Sequence, residues 1–289
     1  MRTRDFSAML ILGAIWGGAF VLLRIASPVF GATALAGVRI AVAFFVLLVF
    51  LREWSVLRAQ PLALFMLGVI NTAVPFALFA YATLSITSGL AALLNATTPM
   101  FGALIAWAWL GENLGGRRVL GIVIAFAGVA WLVRGAIGSL GTGVVPGVLA
   151  ALAGAALYGL GASFTRRFLG TRDPVAVAAG SVLGATLAIA PFAVATWPQA
   201  AIPPRAWLAA LALGVLCTGV AYLIYYRLLR NVGAGRAVAV AFLFPAFGIL
   251  WGALVLDEPV TPGLLAGCAV VLVGTALSVG LADRVTFTR

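Results

Sequence analysis

The chain has 289 residues, 64% of them apolar and 9% charged, with a mean hydropathy of +1.18. Soluble globular proteins carry roughly 45–50% apolar and about 25% charged residues, so this composition excludes a soluble enzyme, a disordered tail and a disulfide scaffold. The net charge is +11 and all 18 basic residues are Arg, with no His anywhere, which removes Ser-His or Cys-His nucleophilic catalysis and His-held metals.

A hydrocarbon core about 30 Å thick requires roughly 20 apolar helical residues to cross it. Ten stretches meet that need: 7–27, 31–51, 61–84, 88–110, 116–134, 144–165, 174–196, 205–229, 233–256 and 262–282. The expected fold is therefore an all-α membrane protein of ten transmembrane helices. The first stretch is flanked by Arg2 and Arg4 like a signal peptide, but its apolar run is too long and a polytopic chain follows, so it is expected to be retained. Residues 135–143 read as a Gly/Ser-rich linker. Cys217 and Cys268 fall inside spans, where packing is expected rather than a disulfide.

Placing both termini in the cytoplasm sorts the arginines. Arg2, Arg4, Arg52, Arg58, Arg117, Arg118, Arg166, Arg167, Arg172, Arg227, Arg230, Arg236, Arg284 and Arg289 fall inside, Arg24, Arg134 and Arg205 outside, and Arg39 within the second span. Such a bias fixes orientation, and an even number of helices demands the same side for both ends. The high pI then reports cytoplasmic anchors in the lipid bilayer and not a nucleic-acid surface. Short loops and the arginine bias suit a bacterial inner membrane.

The spans repeat. A shift of 146 residues, 67 to 213, aligns the third to fifth stretches with the eighth to tenth. Thr72 meets Thr218, Gly89 meets Gly235, and Pro99 and Gly102 meet Pro245 and Gly248. Further along, Glu112 meets Glu258, while Gly121 and Gly128 meet Gly267 and Gly274. A shift of 142 pairs Trp16, Gly17 and Arg24 with Tyr158, Gly159 and Arg166. The expected organisation is two five-helix repeats, 1–140 and 141–289. An odd number of helices per repeat makes their orientations opposite, an arrangement suited to alternating access.

Several mid-span residues are candidates for a central cavity. An Arg at a helix centre costs about 2.5–3.5 kcal/mol on insertion scales, so Arg39 should face protein or water. It either attracts a substrate carboxylate, or locks onto backbone carbonyls or snorkels. Trp16 and Tyr158 lie too deep for an interfacial belt and either line a cavity or pack between helices; Tyr81, Tyr222 and Trp251 are weaker candidates of the same kind. Asn95 and Thr98, on one face with Ser88 and Gly102, and Asn71 form a polar stripe. That stripe either meets substrate or bonds between helices. Pro75, Pro99 and Pro245 are candidate bends for gating or for shape. No metal site and no cofactor is expected. A small-molecule solute is the expected partner, with the oligomeric state open and a monomer compatible.

The chain resembles the EamA-type branch of the drug/metabolite transporter superfamily. The resemblance rests on Trp16-Gly17-Gly18, Arg39, and the run Gly89 to Leu94 with Pro99, Leu110-Gly111-Glu112, Gly121 and Gly128. It recurs at Gly235, Pro245, Leu256, Glu258, Gly267 and Gly274, with Asp257 in place of a Gly and Tyr158 in place of a Trp. It implies export of a small solute, such as an amino acid or a drug. Every acidic residue lies near a span boundary, which argues against proton or sodium coupling through a buried carboxylate. The expectation is export of amino acids, aromatic or bulky apolar ones favoured, by uniport or exchange. The alternative is proton-coupled efflux of cationic drugs. An intramembrane enzyme would need clustered acids or a nucleophile-base pair, and neither is visible.

Overall fold

The structure is a computed structural model that describes residues 3–51, 54–170, 172–233 and 239–280. Among them are ten apolar helices and no strand. They are α1 (Thr3–Phe30), α2 (Ala32–Phe50), α3 (Pro61–Ala82), α4 (Ser88–Leu110), α5 (Gly116–Leu140), α6 (Thr142–Phe168), α7 (Pro174–Ala195), α8 (Pro204–Val232), α9 (Val240–Leu256) and α10 (Pro262–Ser278). The first eight are long and apolar enough to cross a membrane; α9 and α10 are shorter. Large side chains such as Phe45, Trp107, Trp131 and Phe192 stand exposed, as a hydrocarbon surround permits and water does not.

One expectation is corrected and three features are added. Residues 135–143 are not a loose linker: α5 runs on to Leu140, because Ala136 and Ile137 pack on the core and Ser139 Oγ donates back to the Gly135 carbonyl at 3.1 Å. The helix stops only at Gly141, at φ 81°. A short helix, Trp54–Ala59, fills the connection between α2 and α3. The fourth stretch has its expected bounds, Ser88–Leu110, but a turn at Ala96 and Thr97 interrupts its helical hydrogen bonding. Pro99 offers no N–H to the Asn95 carbonyl, and Thr97 Oγ1 takes up the Leu94 carbonyl at 2.6 Å. Finally, α3 and α8 each contain a π-helical segment, Val69–Ala73 and Val215–Val220.

The two π segments begin 146 residues apart, 69 and 215, the same shift that aligns the sequences. Their local causes differ. In α3 the ring of Pro75 follows directly and displaces the preceding turn. In α8 the Thr218 hydroxyl donates to the Leu213 carbonyl, five residues back, at 3.0 Å, which fills the widened turn.

Helix pairing obeys an exchange rule. α1 packs on α9 and α6 on α4; α3 packs on α7 and α8 on α2; α3 packs on α6 and α8 on α1. The pairs α2–α7 and α5–α10 map onto themselves. Glycine approaches repeat in the same way. A Cβ at Gly17 would sit 2.8 Å from the Gly248 nitrogen, and one at Gly159 would sit 2.6 Å from the Gly102 nitrogen. The equivalent helices α4 and α9 run antiparallel, Ala92 meeting Gly248 while Ser88 meets Gly252; α5 and α10 do likewise, Gly121 meeting Ser278 and Leu132 meeting Gly267. Both α4 and α9 end in a left-handed residue, Gly111 at φ 71° and Asp257 at φ 52°. The following amides, Glu112 and Glu258, return to Ala106 and Gly252 at 3.2 and 3.1 Å. The missing Gly at 257 leaves the turn intact because Asp tolerates this conformation better than most residues. The repeat mate at Gly235 lies outside the described residues, as do Arg2, Arg52, Glu53, Arg236, Asp283, Arg284 and Arg289.

Candidate functional site

Both π segments pack on α2, whose Arg39 reaches Thr218 in the π segment of α8 and the Phe76 ring just after the π segment of α3. Its side chain is 7% exposed. Nε donates to Thr218 Oγ1 at 2.9 Å, and the guanidinium carbon lies 3.7 Å from the centroid of the Phe76 ring. Among the described residues no carboxylate pairs with it, and its two terminal nitrogens make no hydrogen bond. A backbone-carbonyl lock is thus not what holds this side chain. The phenols of Tyr158 and Tyr222 and the thiol of Cys217 share its surroundings. A buried cation with two open donors and an aromatic floor can receive a carboxylate in bidentate fashion.

On the other side of the centre, Thr72 Oγ1 is fully buried and, among the described residues, makes no hydrogen bond of good geometry. The Tyr222 phenol lies close enough to interact with it. Asn71 reaches across to α6, where only a Gly fits: a Cβ at Gly161 would stand 2.3 Å from Asn71 Oδ1. Tyr158 stacks on Phe79 at 5.8 Å. Tyr222 meets Tyr226, and Tyr226 meets Tyr225, which in turn contacts Trp16 at 5.4 Å. A band of half-buried aromatics therefore leads from Arg39 toward the far end of α8.

The expected residues divide. Arg39, Tyr158, Tyr222, Asn71 and Trp16 converge on this centre. Trp16 is also tied into packing, its indole nitrogen donating to the Cys217 carbonyl at 3.1 Å inside the π segment. Trp251 bonds the Ala14 carbonyl at 3.1 Å and rivets α9 to α1. Asn95 and Thr98 are half-buried at the break in α4 and bond each other at 3.3 Å. Ser88 leaves that stripe altogether, being bound to Glu258 at the helix start. Tyr81 is 46% exposed at the surface. Pro75 and Pro99 sit just after irregular turns, whereas Pro245 lies inside an unbroken α9. Sequence reasoning passed over Thr218 and Phe76, although the match of Thr72 with Thr218 already marked the first.

Acidic residues at the helix ends are more organised than their boundary positions suggest. Glu258 is not left to solvent: its side chain is 12% exposed and pairs with Arg24 Nε at 3.2 Å. It also accepts from the Ser88 amide at 3.0 Å and from Ser88 Oγ at 2.7 Å. At the opposite end of α4, Glu112 pairs with Arg166. No group of three or more potential metal-ligating side chains occurs among the described residues.

Apolar helices with exposed apolar faces, together with a polar centre at two irregular turns, define a multi-pass membrane protein of transporter type. The EamA-like transporter family model matches residues 6–134 and again 145–280, and the chain belongs to that family. An uncharacterized protein of Pseudomonas aeruginosa is 32% identical over 70% of this chain and 68% of its own length. A protein of Escherichia coli named a probable amino-acid metabolite efflux pump is 26% identical over 96% of both chains. An uncharacterized transporter of Archaeoglobus fulgidus is 24% identical over 90% of this chain and 92% of its own. A solved crystal structure covers 99% of both chains with a TM-score of 0.70 at 22% identity, which shows a shared fold. The family is one of membrane transporters, and no catalytic family is indicated.

Proposed function

We infer that the protein exports small carboxylate-bearing metabolites, foremost amino acids with aromatic or bulky apolar side chains, across a bacterial inner membrane. The observation that carries this reading is Arg39: buried, without an ion-pair partner among the described residues, and with both terminal nitrogens open. A cation that has left water without an anion is costly, and an arriving carboxylate offsets that cost. Phe76, Tyr158, Tyr222 and the aromatics beyond supply apolar surface for the side chain of the solute. The name of the Escherichia coli relative points the same way.

Ten membrane crossings in two inverted repeats, 1–140 and 141–289, give the working architecture. It is supported by the antiparallel packing of α4 with α9 and of α5 with α10, and by the exchange-symmetric pairing. Alternating access about the centre then moves the solute, with both termini cytoplasmic. Uniport or exchange fits a centre whose charged residue is an Arg, which does not lose its proton in proteins. The same cation repels cationic drugs. The test is counterflow in proteoliposomes with a panel of amino acids, nucleosides and cationic dyes. Saturable exchange of amino acids, reduced by Arg39→Gln, is the expected result; proton-driven uptake of cationic dyes alone overturns it.

A further inference from the structure

The two ion pairs at the helix ends are images of each other. Arg24 becomes Arg166 by the shift of 142, and Glu258 becomes Glu112 by the shift of 146. Both glutamates follow a left-handed residue and return their amide to the helix they leave, so the backbone aims both side chains in the same way. They lie at opposite ends of the molecule. Glu258 binds Ser88, the first residue of α4, and Glu112 stands just past its last residue, Leu110. At 1.5 Å rise per residue those points are roughly 30 Å apart.

Their engagement differs. Arg24 bonds Glu258 and also donates to the Thr83 and Ile86 carbonyls at 2.8 and 3.1 Å, so α1, the α3–α4 turn and the end of α9 are sewn together. The equivalent carbonyls at the other end are Leu229 and Val232, and neither receives a bond from Arg166, which among the described residues bonds only Glu112. The Glu112–Arg166 pair is also open to solvent, with side chains 36% and 62% exposed against 12% and 35% for Glu258 and Arg24. One end is latched; the other carries a formed but undocked pair.

We propose that these pairs are alternating latches of the transport cycle. Arg24–Glu258 holds its end shut in the conformation seen here. In the opposite conformation Arg166 docks with Glu112 onto the Leu229 and Val232 carbonyls while Glu258 releases Ser88. Each latch trades its docked bonds for hydration when it opens, so the two states stay close in free energy and a bound solute decides between them. The charge at each latch is not consumed, which agrees with a cycle that needs no proton.

This proposal rests on alternating access but its test needs no solute, so it fails or stands apart from the choice of substrate. A cysteine is introduced at Ser85, beside the latched end, or at Val232, beside the undocked pair. Their modification by a membrane-impermeant thiol reagent is followed in full-length protein in nanodiscs, against the unmodified chain, whose Cys217 and Cys268 are buried. Glu258→Gln removes a charge from several hydrogen bonds and should raise the Ser85→Cys rate and lower the Val232→Cys rate by about tenfold. Glu112→Gln should shift both rates in the reverse sense. Ser88→Ala and Arg166→Gln repeat the two tests with gentler changes should a glutamate variant fold poorly. Reciprocal shifts support the latches; shifts in the same direction, or none in folded protein, overturn them.

Discussion

The two π segments share a register and little else. In α8, Thr218 is saturated, accepting from Arg39 and donating to the Leu213 carbonyl. In α3, Thr72 is as deeply buried, and among the described residues its hydroxyl makes no hydrogen bond of good geometry. The counterpart of Arg39 by the shift of 142 is Ser181 of α7, whose hydroxyl turns back on its own helix to the Ala178 carbonyl at 2.9 Å. The backbones confirm the correspondence: a Cβ at Gly214 would meet the Arg39 carbonyl, and one at Gly68 the Ser181 carbonyl. Duplication therefore preserves where helices touch and where they widen, because close backbone approach admits few alternatives. It leaves side-chain chemistry at the centre free to differ, and here one half supplies the charge.

If backbone approach is the shared element, breaking it should cost the same on either side. Gly17→Val and Gly159→Val both drive a side chain into backbone nitrogen at under 3 Å, which cannot yield as a side chain does. Each should cost more than about 3 kcal/mol, read as loss of the monodisperse peak and a collapsed Tm in detergent. Gly143→Ala, at a position with open space around it, should change the Tm little. A large asymmetry between the two valines would show that the halves do not share their packing.

The second test strikes the asymmetric charge. Arg39→Gln should lower the apparent affinity for amino-acid substrates roughly ten- to hundredfold, the worth of charge-assisted hydrogen bonds. Arg39→Lys should restore it only in part, since a point charge lacks the planar fork. Arg39→Met should abolish transport without lowering the Tm, because an uncompensated buried charge is removed. Ser181→Ala should leave transport kinetics unchanged.

These residues also show what the sequence discloses. Span positions and the doubled pattern were legible because hydropathy and recurring Gly, Pro and Glu residues record membrane depth and close approach. Arg39 stood out because nothing else charged lies so deep. The break in α4 was announced by Pro99 but its length was not. The π segment of α8 has no such herald, since Ala221 stands where α3 has Pro75. Its cause is a threonine hydroxyl choosing a carbonyl five residues back, a choice made by packing. The docking of Glu258 on Ser88 was likewise hidden, for it joins residues 170 apart in sequence, and Tyr81 looked central only because depth along a helix does not reveal the face.

The two threonines offer a comparison of sign. Thr218→Val strips from the Arg39 guanidinium the only hydrogen bond it makes among the described residues and should destabilise by about 1–3 kcal/mol. Thr72→Val keeps shape and removes an unsatisfied hydroxyl, so it should raise stability by about 1 kcal/mol. Equilibrium unfolding of both variants checks this, and an equal loss in both would mean that Thr72 is satisfied in the folded protein.

The smallest effect is expected at the paired helix ends. Asp257 holds a left-handed conformation that a non-glycine residue adopts at a cost, roughly 1–2 kcal/mol for ordinary side chains and less for Asp. Asp257→Gly should therefore raise the Tm slightly, while Gly111→Ala at the matching turn should lower it by about 1 kcal/mol. Neither change touches the glutamate that follows. If Asp257→Gly is instead destabilising, the aspartate carboxylate contributes something at this turn that its twin does without, and the left-handed backbone alone no longer accounts for how Glu258 is aimed at Ser88.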